Sequence, residues 1–270
     1  MLDREDVVAR YAVADRSVPH LRVNFIASLD GAATHDGVSG PLNNEVDKLV
    51  FDTLRMLSDV IVVGAGTVRE EGYGAMVLDD DAVEWRLAQG LPEHPRFALV
   101  TSRVDLEPDS AIFTQAPVRP IIVTHTRLAA RPPIAPGVEI PGTPSGPGAG
   151  AGVATAVDAD GEARAARIAA LAEVADVVDC GDTAVDTALM AAELATRGLP
   201  QMLSEGGPHL LGALIEADAV DELCLTLAPV LEGGRATRIT AGGTQITREM
   251  RLAHAFAEGD MLFLRYLRAR

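Results

Sequence analysis

The run Val60-Ile61-Val62-Val63 constrains the fold more than any other stretch. Four consecutive β-branched residues suit a strand buried on both faces, which is the situation of an inner strand in a parallel sheet. A parallel sheet needs helical crossovers, and the sequence supplies them. Asn43 or Asn44 can cap a helix running to about Ser58, with Glu45 and Asp47 complementing its first turn and Val46, Leu49, Val50, Thr53, Leu54 and Leu57 on one face. Further strands are predicted at Leu21 to Ala27, Phe97 to Val100, Ile121 to Val123, Val177-Val178, Met202-Leu203, Leu223 to Leu227 and Met261 to Tyr266, with a helix through Ala188 and Leu194. The fold class expected is α/β, with a central, mostly parallel sheet flanked by helices. Ligands of such sheets bind beyond the carboxyl ends of the strands.

Two of those strand ends are rich in glycine. Gly64-Ala65-Gly66-Thr67 follows the β-branched run, but Arg69 stands where a dinucleotide fingerprint needs its third glycine, so a Rossmann assignment fails. Met202-Leu203-Ser204-Glu205-Gly206-Gly207-Pro208 reads as a strand entering a helix, with proline suited to the first helical position and Leu210, Leu211, Leu214 and Ile215 on one face. Free amides and the positive helix end meet there, and glycine lets an anion approach the backbone. The same residues also suit a tight turn with nothing bound.

Composition excludes several classes. A formal charge of −16 opposes non-specific nucleic-acid binding, and no apolar run is long enough to span a membrane. Cys180 and Cys224 are too few and too distant for a zinc cluster and read as buried thiols of a cytoplasmic protein. The six histidines lack metal-ligand spacing, and neither a Walker lysine nor a G-x-S-x-G elbow is present. What remains is a cofactor that brings its own chemistry to two glycine turns.

Five segments, in order, resemble the reductase domain of bacterial riboflavin biosynthesis, a dihydrofolate-reductase-like fold. They are Asn24 to Gly31, Ser39-Gly40-Pro41, Val62 to Val68, Glu205 to Pro208, and Asp221 to Pro229. Members use NADPH to reduce the ribose of a 5-amino-6-ribosylaminopyrimidinedione phosphate to a ribityl chain. The resemblance implies that Ile26, Thr67 and Glu71 line the nicotinamide end and that Ser102 lies near the adenosine. It places the pyrophosphate along Gly207, Pro208, His209, Leu210, Leu211, Gly212 and Ala213, and the glycine turn adds Gly206. Ser39, Arg55 and Glu205 then face the substrate. Arg103, beside Ser102, has the guanidinium that a 2′-phosphate needs. No proton donor is assigned, and no metal is expected.

The sequence departs from the family where relatives carry basic groups. Ala32 follows the Ser28-Leu29-Asp30-Gly31 turn, and Gly74 to Leu78 contains no cation. Weak turnover of the phosphorylated precursor is therefore expected, with a pterin such as dihydrofolate reduced as well or better, its carboxylates paired by Arg55 and its ring stacked on Tyr73. Dihydrofolate reductase activity and a non-catalytic NADPH sensor stand as the alternatives. The zinc deaminase fused to many relatives is not expected, because no H-x-E with P-C-x-x-C occurs. Residues 1–18 are expected to be a loosely ordered lead-in to one reductase domain over residues 19–270, with a mobile Gly/Pro loop at residues 141–152. The apolar strands Leu223 to Leu227 and Met261 to Leu264, the part through which relatives pair, suggest a homodimer.

Overall fold

The computed structural model describes residues 2–125 and 150–269, with backbone alone for residues 150–160. The elements run α1 (Arg4–Tyr11), β1 (His20–Ser28), α2 (Glu45–Leu57), β2 (Val60–Gly64), α3 (Ala65–Glu70), α4 (Asp80–Ala88), β3 (Arg96–Val100), α5 (Ala111–Thr114) and β4 (Ile121–Thr124). They continue with α6 (Gly150–Val174), β5 (Asp176–Asp179), α7 (Thr187–Thr196), β6 (Gln201–Gly206), α8 (Pro208–Glu216), β7 (Glu222–Ala228), β8 (Met250–Glu258) and β9 (Met261–Arg268).

The strands form one sheet in the order β5-β4-β3-β2-β6-β1-β7-β9-β8. Pairing is parallel from β5 to β7, and β9 and β8 close the sheet antiparallel. The β-branched run behaves as its composition requires. Ile61 and Val63 enter one apolar cluster with Leu54 and Leu57 of α2, while Val60 and Val62 enter another with Met190 and Leu194 of α7 and Leu211 of α8. All four are 0% exposed, so burial on both faces is complete. Asn44 caps α2 through the amides of Val46 and Asp47, at the boundary its sequence indicates.

The first residues depart from the expectation of a loose lead-in. Asp3 and Asp6 form a reciprocal cap on α1, and Val7 and Tyr11 are buried in the same cluster as Leu54 and Leu57. Two well-placed apolar side chains dock this helix, too few to produce a visible stripe. In the glycine/proline stretch, residues 141–149 lie outside the described residues, and Gly150 to Gly152 open α6. At its last three positions the stretch expected to be a mobile loop is helix instead. Among the described residues, no helix is long and apolar enough to cross a membrane.

Candidate active site

A cleft of about 410 Å³ opens at the carboxyl ends of β1, β2 and β6. It is where a parallel sheet places ligands, because helix N-termini and strand-end loops converge there. Its walls include Asn24 and Ile26 of β1, Ser39, Asp47 and Arg55 around α2, Thr67 of α3, Glu71, Tyr73, and Glu205 to Pro208.

Glycine is required at the β6–α8 junction for two reasons. Gly206 has φ +142°, and a Cβ on Gly207 would stand 2.3 Å from Thr67 Oγ1. The peptide between these two glycines is cis. Gly207 caps α8 with no side-chain hydrogen bond, which leaves first-turn amides without a side-chain acceptor. Backbone donors and the positive helix end thus face the cleft beside the Thr67 hydroxyl. Thr67 itself lies inside α3, whose cap is Gly64, so it does not cap that helix.

Arg55 and Glu205 form the second construction. Arg55 Nε and Nη2 each donate to a Glu205 oxygen at 2.6 Å, and Tyr73 Oη donates to Oε2 at 3.3 Å. Arg55 also lies 4.2 Å from the Phe51 ring centroid. Burial works against the guanidinium, but the adjoining Glu205 outweighs it and keeps Arg55 charged. Burial, then Glu205, keeps the Tyr73 phenol protonated. This geometry corrects the role given to Arg55 as a spare cation for a distal carboxylate. Its charge is already paired by Glu205, which takes the Nε–Nη2 edge of the guanidinium. Tyr73 is likewise committed, stacked on Phe97 at 6.0 Å.

The remaining predicted positions divide by location. Ile26, Ser39, Thr67, Glu71, Glu205, Gly206, Gly207 and Pro208 all line the cleft, and Glu71 accepts the Ser39 amide at 2.8 Å. Leu210 and Leu211 send their side chains into the core, and Gly212 packs against Ala241. His209 is exposed beside Gly242, and Ala213 lies further along α8. Ser102 and Arg103 are exposed at the end of β3, outside the cleft walls. Nearby, Arg164 of α6 donates to the carbonyls of Ser102 and His125. Asp30 of the Ser28-Leu29-Asp30-Gly31 turn accepts from Ser28 and from the amides of Glu232 and Gly233, so it fastens the loop after β7.

Sequence reasoning missed Asp47 as a cleft residue. It is 5% exposed, and burial raises its carboxyl above the ordinary value, with a bond from the Thr226 hydroxyl opposing the rise. A signal existed, because Asp47 shares the helical face of Val50 and Leu54 at spacings of three and seven. Among the described lining residues, Arg55 is the one Lys or Arg, against Asp47, Glu70, Glu71 and Glu205.

Parallel strands with a glycine-lined cleft at their carboxyl ends, a helix N-terminus without a side-chain cap and a fixed Arg–Glu pair form a small-molecule site, and the family match makes it that of a reductase. The chain belongs to the RibD C-terminal domain family, which matches residues 19–134 and 150–264. It is 24% identical over 235 residues to the 2,5-diamino-6-ribosylamino-4(3H)-pyrimidinone 5′-phosphate reductase of Archaeoglobus fulgidus, covering 87% of this chain and 91% of that one. It is 25% identical over 238 residues to the riboflavin biosynthesis protein RibD of Mycobacterium tuberculosis, covering 87% of this chain and 49% of that protein. A pyrimidine reductase-like protein from Corynebacterium diphtheriae shares the fold, with a TM-score of 0.79, 23% identity and full coverage of both chains.

Proposed function

We propose that this protein is an NADPH-dependent reductase of a ribosylaminopyrimidine phosphate, of the kind used in riboflavin biosynthesis. The observation that carries the reading is the junction of Gly206, Gly207 and Thr67, where the Thr67 hydroxyl packs against side-chain-free backbone next to helix amides that no side chain caps. A pyrophosphate fits that junction, with Gly206 to Pro208 and the following amides holding its oxygens. Ile26 and Thr67 flank the nicotinamide, and Ser102 with Arg103 meets the 2′-phosphate at the end of β3.

Bound NADPH supplies a hydride. The chain's residues orient the acceptor, exclude water and hold charge in place. The acceptor is the C1′ carbon of the opened ribosylamine, a polarised C=N. Hydride on carbon and one proton on nitrogen give the ribityl amine. Glu205, its side chain fully covered, holds Arg55 and Tyr73 in place at the cleft wall and keeps the Arg55 charge fixed beside the acceptor. The dihydrofolate alternative is weakened, since the Arg55 charge is paired by Glu205 and one face of the Tyr73 ring is covered by Phe97. A homodimer in a cytoplasmic setting completes the proposal.

Steady-state NADPH oxidation tests it. The ribosylaminopyrimidine phosphate should be consumed together with NADPH, and dihydrofolate should be reduced more slowly. Oxidation with dihydrofolate alone, or with neither compound, would overturn the assignment.

A further inference from the structure

Asp47 is the buried cleft carboxylate that the proposed reaction leaves without a task. It stands in the first turn of α2, where an acid is ordinarily explained by the helix dipole or by a reciprocal cap. It does not complete the reciprocal cap that Asp6 makes to Asp3 in α1, and the exposed Glu45 already complements the dipole. Its side chain is held by the hydroxyl of Thr226, itself 2% exposed, from β7 on the far side of β1. Among the described residues, no arginine, lysine or histidine forms an ion pair with it. A carboxylate offers about four acceptor positions, and one hydroxyl occupies one of them. Asp47 itself lines the cleft shared with Asn24, Ile26 and Arg55. A buried acid is costly to leave unpaired, so a ligand bringing donors is the natural complement.

We infer that Asp47 reads the pyrimidine ring, accepting the two parallel N–H groups of a 2-amino-4-oxopyrimidine edge and thereby selecting a 2-aminopyrimidinone over a pyrimidinedione. The inference rests on the pyrimidine-reductase reading above. The ring N3–H and the exocyclic 2-amino N–H point the same way, at the separation of two carboxylate oxygens, as in a guanidinium–carboxylate pair. A pyrimidinedione has a carbonyl oxygen in place of the amino group, and its lone pairs would face the Asp47 oxygen. Sites built to bond a substrate N–H reject the analogue lacking it, because their own polar groups are left unpaired. A pterin carries the same edge, so ring size and phosphate must be tested separately from the edge itself.

The test is calorimetric binding to the full chain in the presence of NADP+, which holds the cofactor site without turnover. The probes are 2,5-diamino-6-ribosylamino-4(3H)-pyrimidinone 5′-phosphate, its pyrimidinedione counterpart and dihydrofolate, each with the wild type and with Asp47→Asn. The wild type should bind the 2-amino monocycle about tenfold or more tighter than the dione. Asp47→Asn should reverse that order, because an amide offers one donor and one acceptor and so matches the dione's adjacent N–H and C=O. A merely structural role would weaken both rings alike. Equal binding of the two rings by the wild type, or a preference for the dione, overturns the inference whether or not the variant folds. A preference that survives Asp47→Asn overturns it as well. Asp47-dependent binding of dihydrofolate without the monocycle supports the edge and assigns it to a bicyclic ring. If the binding order holds and no ring consumes NADPH, the reductase reading fails and the recognition by Asp47 stands.

Discussion

Thr67 and Gly207 act as a pair at the scale of single residues. The threonine hydroxyl fills the space in which a Gly207 side chain would begin, 2.3 Å from the ideal Cβ, whereas Thr67 Cβ is 3.7 Å away. Gly207→Ala should therefore lower the melting temperature, and adding Thr67→Ala should recover most of the loss, since the clash is with the hydroxyl alone. Thermal unfolding of the single and double variants measures this coupling, and additive losses would refute it. Gly207→Val adds branched bulk at this contact, forces the junction apart and should abolish NADPH binding in a fluorescence titration. An unchanged titration would remove the pyrophosphate from this junction. Arg103 carries a different property. A charge-assisted contact to the 2′-phosphate contributes about 1.5–3 kcal/mol, so Arg103→Ala should lower the NADPH/NADH affinity ratio by that amount. A preserved ratio would place the discrimination elsewhere.

At the scale of elements, α4 shows how a helix can dock without an apolar stripe. Arg86, 1% exposed, donates to the carbonyls of Met56 and Ser58 at the end of α2 and to that of Pro92. It satisfies groups that a helix terminus leaves open, and burial lowers its guanidinium to about 10. Arg86→Met keeps the length and removes the donors. It should cost about 2–4 kcal/mol for the stranded carbonyls, read as a lower denaturation midpoint in urea with the m-value unchanged. The same helix explains a limit of sequence reading. Residues 80–88 show little helical apolar period because Arg86 is buried beside the few apolar residues, Ala82, Val83 and Trp85, that pack inward. The strand Met250–Glu258 was equally illegible, since β8 is an edge strand with much of its surface exposed. By contrast β2, α2 and the β6–α8 junction were legible, because a β-branched run, an asparagine cap and a Gly-Gly-Pro turn each admit few backbones. Most of the site was legible by resemblance. Asp47 was not, because an acid near a helix start already has a sufficient explanation in the dipole.

On the scale of the whole molecule, one buried carboxylate joins the first helix to the sheet. Glu222 accepts from Arg22 Nε at 2.5 Å, Arg265 Nη2 at 2.7 Å and His20 Nε2 at 3.0 Å, and those two arginines also donate to the carbonyls of Tyr11 and Arg10 in α1. Burial alone would raise the Glu222 carboxyl, but Arg22, aided by His20 and Arg265, outweighs it and holds the group well below the carboxylate range. With the folded value below the unfolded one, this stabilisation is complete above roughly pH 4.5 and is lost as the pH falls below it. Glu222→Gln should destabilise the protein at pH 7 by about 3–5 kcal/mol, since two buried cations lose their partner, and should flatten the acid limb of a melting-temperature profile. An unchanged acid limb would show that other carboxylates set it.

The other whole-molecule property is association. Helices α7 and α8 cover the sheet beside β2 and β6, but the same face continues onto β7, β9 and β8. Register places Leu225 opposite Leu264 and Leu264 opposite Ala255, and places Leu227, Leu262 and Ala257 in a second row. Directly opposed residues project to one side of a sheet. Leu225, Leu227 and Leu264 are half-buried, Leu262 is 37% exposed, and Leu252, in the neighbouring row with Leu223 and Tyr266, is 49% exposed. The alternate residues Cys224, Thr226 and Phe263 face the interior and are buried. The strands first considered for pairing are thus split, one side in the monomer core and one side open. A continuous apolar sheet face is the self-complementary surface that a twofold dimer needs. Sedimentation at micromolar concentration should show a dimer for the wild type and a monomer for Leu252→Glu/Leu262→Glu, with unchanged far-ultraviolet circular dichroism. A wild-type monomer refutes the dimer. A dimer that survives both glutamates moves the interface off this face.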